Sequence, residues 1–206
     1  PHYGFDVDIV RDPNSPDRDL FIFDTASDLP VETVSSIGTL LYGLAVDSDD
    51  RVYVAQTDAR NYSNGRAGTL GHKLVDLENR AYLNQIGVVD CAPPACAEPS
   101  VFDLEPLPPL NPEPGEAFAT PYGIQVTEDD ATLVVTAASS HKLFTVDAMS
   151  GAVLGSVQTG SVPRGVALRQ VGDATTLEAW TFNAVENSVS VVDLADTAVP
   201  SVLATV

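Results

Sequence analysis

The sequence predicts an all-β chain of repeated four-stranded antiparallel units, the blades of a propeller. Three observations carry that expectation. The stretch Tyr122–Val157 alternates apolar and polar residues in four short runs, the pattern of half-buried strands. A glycine-anchored strand opening recurs at Gly4, Gly43, Gly123 and Gly165, and a strand ending in aspartate recurs at Asp24, Asp90, Asp147 and Asp193. The two kinds of anchor alternate along the chain, and two of the three glycine spacings match a blade of about 40 residues.

In the clearest unit, Gly123–Thr127, Ala131–Ala137, Lys142–Asp147 and Ala152–Val157 are the four expected strands. Glu128, Asp129 and Asp130 make the first turn. The last turn runs from Asp147 to Gly151, because Asp accepts bonds from the amides that follow it and Gly tolerates positive φ. Taken in order, the units span residues 1–38, 39–118, 119–160 and 161–206 of a single propeller segment. The first opens with Tyr3–Asp8 and has Leu20–Asp24 as its third strand; Asp12–Asp19 reads as a loop replacing part of a strand. The second has Val52–Gln56 and Ile86–Asp90 as its second and third strands, and it carries two insertions. Within 61–83, Leu74, Leu77 and Ala81 recur at helical spacing with Asp76 and Arg80 four apart, which predicts a short helix. Within 104–118, Pro106, Pro108, Pro109, Pro112 and Pro114 favour an extended connector. The fourth unit keeps the glycine but places Arg164 where the others have tyrosine.

These units resemble the bacterial YVTN-type β-propeller repeat: a Gly-initiated first strand, an acidic turn, a Val/Tyr-rich second strand, a third strand ending in Asp, and a Ser/Thr-Gly turn. Val52–Ala55 and Val134–Ala137 stand at the eponymous strand, while Ala179–Phe182 departs from it. The resemblance implies a fold and leaves activity open, since function sits in sites grafted on the scaffold. It implies more blades than four, commonly about seven. The chain is therefore expected to be part of a larger propeller, with the remaining blades in a continuation or in another chain, and Pro1 to result from trimming. The resemblance also implies a periplasmic or cell-surface location and makes a redox partner an expectation.

Charge narrows the partners. With 29 acidic against 10 basic residues the formal net charge is −19, so nucleic acid, which demands a concentrated basic surface, is a poor partner. No apolar run is long enough to span a bilayer, and the first residues lack a basic segment followed by an apolar one. Cys91 and Cys96 flank a four-residue turn and are expected to form a disulfide in an oxidising compartment; two free thiols are the alternative. Zinc is weaker, because no second Cys or His pair stands at ligand spacing.

Propeller geometry sorts the loops onto two ends. One end receives Tyr42, Tyr122 and Arg164 before the inner strands, His141 and Lys142 between strands, and the insertion bearing Arg60, Arg66, His72, Lys73 and Arg80. It gathers six of the ten Arg and Lys residues and two of the three His. That end is the candidate face for an anionic ligand, a cofactor carboxylate or an acidic partner segment; the competing expectation is that each cation satisfies nearby carbonyls or carboxylates. Asp12, Asn14, Asp17 and Asp19 offer hard oxygen ligands for calcium, though the EF-hand Gly and Glu are missing. The GxSxG elbow, the CxxCH haem attachment, and the Walker and dinucleotide fingerprints are all absent. The Asn61-Tyr62-Ser63 sequon reads as accidental in a bacterial-type protein. The leading expectation is thus an exported, non-catalytic binding or scaffold propeller presenting its loops and inserted helix to a partner. The alternatives are a metal-dependent hydrolase of the lactonase type, drawing on Asn183, Asn187 or His141, and a fragment of a larger multidomain enzyme.

Overall fold

The computed structural model describes residues 17–60, 77–78, 80–92, 94–172 and 176–206. Strands β1 (Leu20–Asp24) and β2 (Leu29–Val34) form a two-stranded antiparallel sheet. Three complete four-stranded sheets follow: β3 (Leu40–Val46), β4 (Arg51–Ala59), β5 (Tyr82–Asp90) and β6 (Ser100–Asp103); β7 (Pro121–Val126), β8 (Thr132–Ala137), β9 (Lys142–Asp147) and β10 (Val153–Gln158); and β11 (Pro163–Val171), β12 (Thr176–Asn183), β13 (Ser188–Asp193) and β14 (Ser201–Thr205). Strand order within each sheet follows the chain, so each is an antiparallel meander. The four expected units are therefore present as three whole blades and the outer half of a first. The Tyr3–Asp8 opening of that first blade lies outside the described residues.

The sheets stack face to face, with one apolar layer between each pair. Val34 and Ile37 meet Val52, Val54 and Val89 in the first layer. Tyr53, Ile86 and Val88 meet Leu133, Val135, Phe144 and Val146 in the second. Val134 and Leu143 meet Ala179, Val192 and Leu194 in the third. Alternate residues of one strand thus feed consecutive layers, as period-two side-chain alternation requires. This is why β4 and β8 read as near-continuous apolar runs: both faces of the strand are covered. Tyr53, Ile86, Leu133 and Phe144 are wholly buried, and each contributes about 1.5–3 kcal/mol of apolar transfer.

The recurring glycines have a steric cause. A Cβ on Gly43 would lie 2.6 Å from the carbonyl oxygen of Tyr122, and one on Gly123 would lie 2.2 Å from that of Arg164. The inner strands β3, β7 and β11 therefore approach so closely that only hydrogen fits.

The short helix expected within 61–83 is not seen. Among the described residues there is no α-helix; Leu77 and Glu78 form a turn, and Tyr82 and Leu83 extend β5 by pairing with Ala59 and Asp58. The β4–β5 ladder thus takes the last two residues of the expected insertion into strand pairing. Residues 61–76 and 79, and with them Leu74 and Asp76, lie outside the described residues. Cys91 and Cys96 are disulfide-bonded within the β5–β6 turn. The amide of Cys96 donates to both carboxylate oxygens of Glu32 at 3.1 Å, tying that turn to β2.

Candidate functional site

Loop-to-loop bonds confirm which connections share an end of the stack. Thr120 N–H donates to Asn84 Oδ1 at 3.1 Å, Ala138 N–H to the Thr120 carbonyl at 2.9 Å, and Thr159 N–H to the His141 carbonyl at 2.9 Å. The connections into β7, between β8 and β9, and into β11 therefore lie together. At the opposite end Ser48 donates through its amide and hydroxyl to Asp130, and Tyr53 Oη to the Ala148 carbonyl at 3.2 Å.

Among the described residues, most cations of the first end are committed to the fold. Arg60 donates to the Leu77 and Arg80 carbonyls and pairs with Glu78 at 2.7 Å. Arg80 pairs with Glu105 at 2.6 Å, with side chains only 9% and 3% exposed, and also donates to the Pro106 carbonyl. Lys142 is buried, donates to the Gly115 carbonyl and sits 5.1 Å from the centre of the Phe118 ring. His141 Nδ1 accepts the Val162 amide at 3.0 Å. Arg66, His72 and Lys73 lie outside the described residues.

What remains is a row on the inner strands, at the end where the central channel of a closed propeller would have its mouth. The Tyr42 and Tyr122 rings stack with centroids 4.9 Å apart and planes inclined by 29°. The Arg164 guanidinium carbon lies 5.4 Å from the centre of the Tyr122 ring. These three side chains occupy equivalent places, each one residue before its glycine anchor, on neighbouring inner strands. The close approach at Gly43 and Gly123 is what brings them within stacking distance. Thr136 fixes the spacing further: its hydroxyl accepts the Gly123 amide at 2.8 Å and donates to the Arg164 carbonyl at 3.0 Å. Thr120 and Val162, just before β7 and β11, hold φ of 59° and 60°, a region costly for β-branched residues. Arg164 itself is exposed and has no ion pair among the described residues. The row is a flat, partly exposed aromatic surface with a planar cation at one end.

Other expected site residues fall elsewhere. Asp17 accepts the Ser36 hydroxyl at 2.8 Å and Asp19 the Ile37 amide at 2.8 Å, so both cap the chain leading out of β2; Asp12 and Asn14 lie outside the described residues. Among the described residues, no group of three or more His, Cys, Asp or Glu side chains is disposed to hold a metal ion.

The β10–β11 loop gathers residues that the spacing did not single out together. Ser161 donates to Glu186 at 2.6 Å, and this bond, with the Ser161 amide, holds the Glu186 carboxyl below the usual range. Asn183 is fully buried and donates to the Ser188 and Ser190 hydroxyls at 3.0 and 2.9 Å, while its Oδ1 has no hydrogen-bond donor. No signal in the sequence identifies Thr136, which sits in an ordinary strand alternation, and Asn183, named for a lactonase-type site, has no spacing that selects it.

Comparison with known proteins supports the fold. The chain resembles Kuenenia stuttgartiensis hydrazine synthase at 15% identity, covering 88% of this chain and 53% of that one, with a TM-score of 0.65. It also resembles a protein of unknown function from Desulfotomaculum acetoxidans at 12% identity, covering 89% and 47%, with a TM-score of 0.55. A third likeness is a protein of unknown function from Bacteroides caccae at 10% identity, covering 89% and 52%, with a TM-score of 0.51. The chain spans about half the length of these solved chains. No protein-family model matches the sequence, and no curated protein matches it. The class defined by fold and comparison is a β-propeller. At these identities the likeness is one of architecture and carries no chemistry.

Proposed function

We propose that this chain is a non-catalytic binding propeller of the YVTN type, acting outside the cytoplasm, whose recognition element is the channel-mouth row Tyr42–Tyr122–Arg164. The row carries the reading, because the other described cations of that end are occupied within the fold and this one is not. Arg164 presents a guanidinium suited to bidentate pairing with a carboxylate, and the tyrosine pair offers a face on which a flat group stacks. The ligand class is therefore a flat anion or the acidic, aromatic segment of a protein partner. The Cys91–Cys96 bond supports an oxidising compartment, and the repeated glycine anchors and Asp-ended third strands support the YVTN-type assignment.

Benzoate is a minimal probe of that chemistry. Titrated into the chain and followed by NMR at the Arg164 guanidinium and the tyrosine rings, it should give saturable shifts. Arg164→Ala should abolish them and Tyr122→Ala should weaken binding about five- to tenfold, the loss of one stacking contact of roughly 1–1.5 kcal/mol. Arg169→Ala, on the same strand but away from the row, should leave them unchanged. Shifts that survive Arg164→Ala would sink the reading.

A further inference from the structure

Among the described residues, the last sheet has one side packed against a neighbouring sheet and one bare side. Ala179 packs into the layer against the preceding sheet, so by strand alternation Trp180 and Phe182 project from the opposite side. Cross-strand pairing places Trp180 between Ala167 and Val191, and Phe182 beside Val189. Phe182 is 48% exposed. Among the described residues, Trp180 is covered by its own sheet: the Arg169 guanidinium lies 5.8 Å from its ring, and its indole N–H donates to Glu178 at 2.9 Å.

Position by position, this bare side matches the sides on which the two preceding blades seat their successors. Tyr53 pairs with Ala45, Val134 with Gln125 and Trp180 with Ala167, in each case two residues past a glycine anchor. Tyr53 is buried in the layer toward the third blade and Val134 in the layer toward the fourth.

The glycines make the same comparison at the backbone. Gly43 and Gly123 are each closely approached by the carbonyl of the residue before the next glycine anchor, Tyr122 and Arg164 respectively. A Cβ on Gly165 would meet nothing within 4 Å. Glycine weakens a strand interior and is placed there where another backbone comes close, yet no described backbone comes close to Gly165.

We propose that the bare side of the last sheet, formed by Gly165, Ala167, Trp180, Phe182 and Val189, seats a further four-stranded antiparallel blade whose innermost strand lays a backbone carbonyl on Gly165. The occupant is a sheet because both internal precedents place a strand carbonyl there, and its contacting surface is apolar because the equivalent layers are. The solved chains of this architecture, of which this chain spans 53% and 47%, are long enough to supply such blades. The residue bearing that carbonyl takes its place beside Arg164 and continues the channel-mouth row. None of this depends on whether the row binds an anion.

The test keeps the whole 206-residue chain and appends after Val206 a copy of residues 119–160, the unit whose leading side already accepts an aromatic residue in Tyr53. Trp180 is the only tryptophan, so its fluorescence reports the seat directly. The extension should shift Trp180 emission to the blue and protect it from iodide quenching. Gly165→Ala should leave the Tm of the original chain unchanged and lower that of the extended chain by roughly 4 °C or more. Equal quenching of Trp180 in the two chains, or an equal effect of Gly165→Ala on both, overturns the proposal. So does a dimer of the original chain that shields Trp180 and persists after extension, because it places a second copy on this face. Benzoate binding moves neither readout, so failure here is distinguishable from failure of the channel-mouth reading.

Discussion

The Glu105 side chain is 3% exposed, yet one carboxylate oxygen takes Arg80 at 2.6 Å while the other takes Asn84 Nδ2 at 3.0 Å and the Phe118 amide at 2.7 Å. A buried ion pair earns its place only when its remaining hydrogen-bonding capacity is met, and here it is. The network pins both ends of the proline-rich 104–118 connector to β5. Glu105→Ala leaves the Arg80 charge buried without its partner and should cost about 3–5 kcal/mol in urea unfolding; a loss below about 1 kcal/mol, typical of a surface pair, would contradict this account. Arg80 looked in the sequence like a ligand cation. Its partner stands 25 residues away, and no local pattern links the two. Gly123 was legible as a recurring letter but not as a contact: only the folded chain sets the Arg164 carbonyl where its Cβ would be.

The elements follow the sequence most closely where alternation and turn chemistry agree. β1, β9 and β13 end at the expected aspartates, and β5 does so as well. Asp147 shows why the turn holds: one carboxylate oxygen accepts the Ser150 hydroxyl and amide, both at 2.7 Å, and the Met149 amide at 3.2 Å. Asp24 makes the same arrangement with Ser27 and Ala26 after β1. The β5–β6 turn uses a disulfide in addition. Cys91→Ser with Cys96→Ser should lower stability by roughly 2 kcal/mol, the entropy of so short a loop, and hydrogen exchange should quicken at the Cys96 amide that Glu32 now holds. Unchanged protection there would show that Glu32 alone organises the turn. The helix expected near Leu77 and Ala81 is not seen among the described residues, where β5 gains its first pairs from the far end of β4.

For the whole molecule, pH acts through those turns. The Asp147 carboxyl is held below its usual range chiefly by the Ser150 hydroxyl, then by the Ser150 amide; Asp24 is held down first by the Ser27 amide, and Asp129 by the Thr127 hydroxyl. A carboxyl whose folded value is depressed adds stability above its unfolded value of about 3.9 and loses it as pH falls through the folded value. Relief of the −19 net charge acts in the opposite sense over the same range. Asp147→Ala isolates the turn: it should be less stable than the parent at pH 7 and converge with it in chemical denaturation at pH below about 3. A gap of constant size across that range would show that the carboxylate charge contributes nothing.

By itself the sequence determined the all-β class, the strand-ending aspartates, the glycine anchors and the pairing of its two cysteines. These are local properties, set by side-chain period, by turn residues and by separation along the chain. Tertiary structure decided which of the cations are consumed by the fold, that Tyr42, Tyr122 and Arg164 stand in one row, and that Gly165 faces nothing where Gly43 and Gly123 face a carbonyl. Those facts arise from groups distant in the chain, within one blade or on neighbouring blades, that meet only on folding, and a one-dimensional pattern does not encode their contacts.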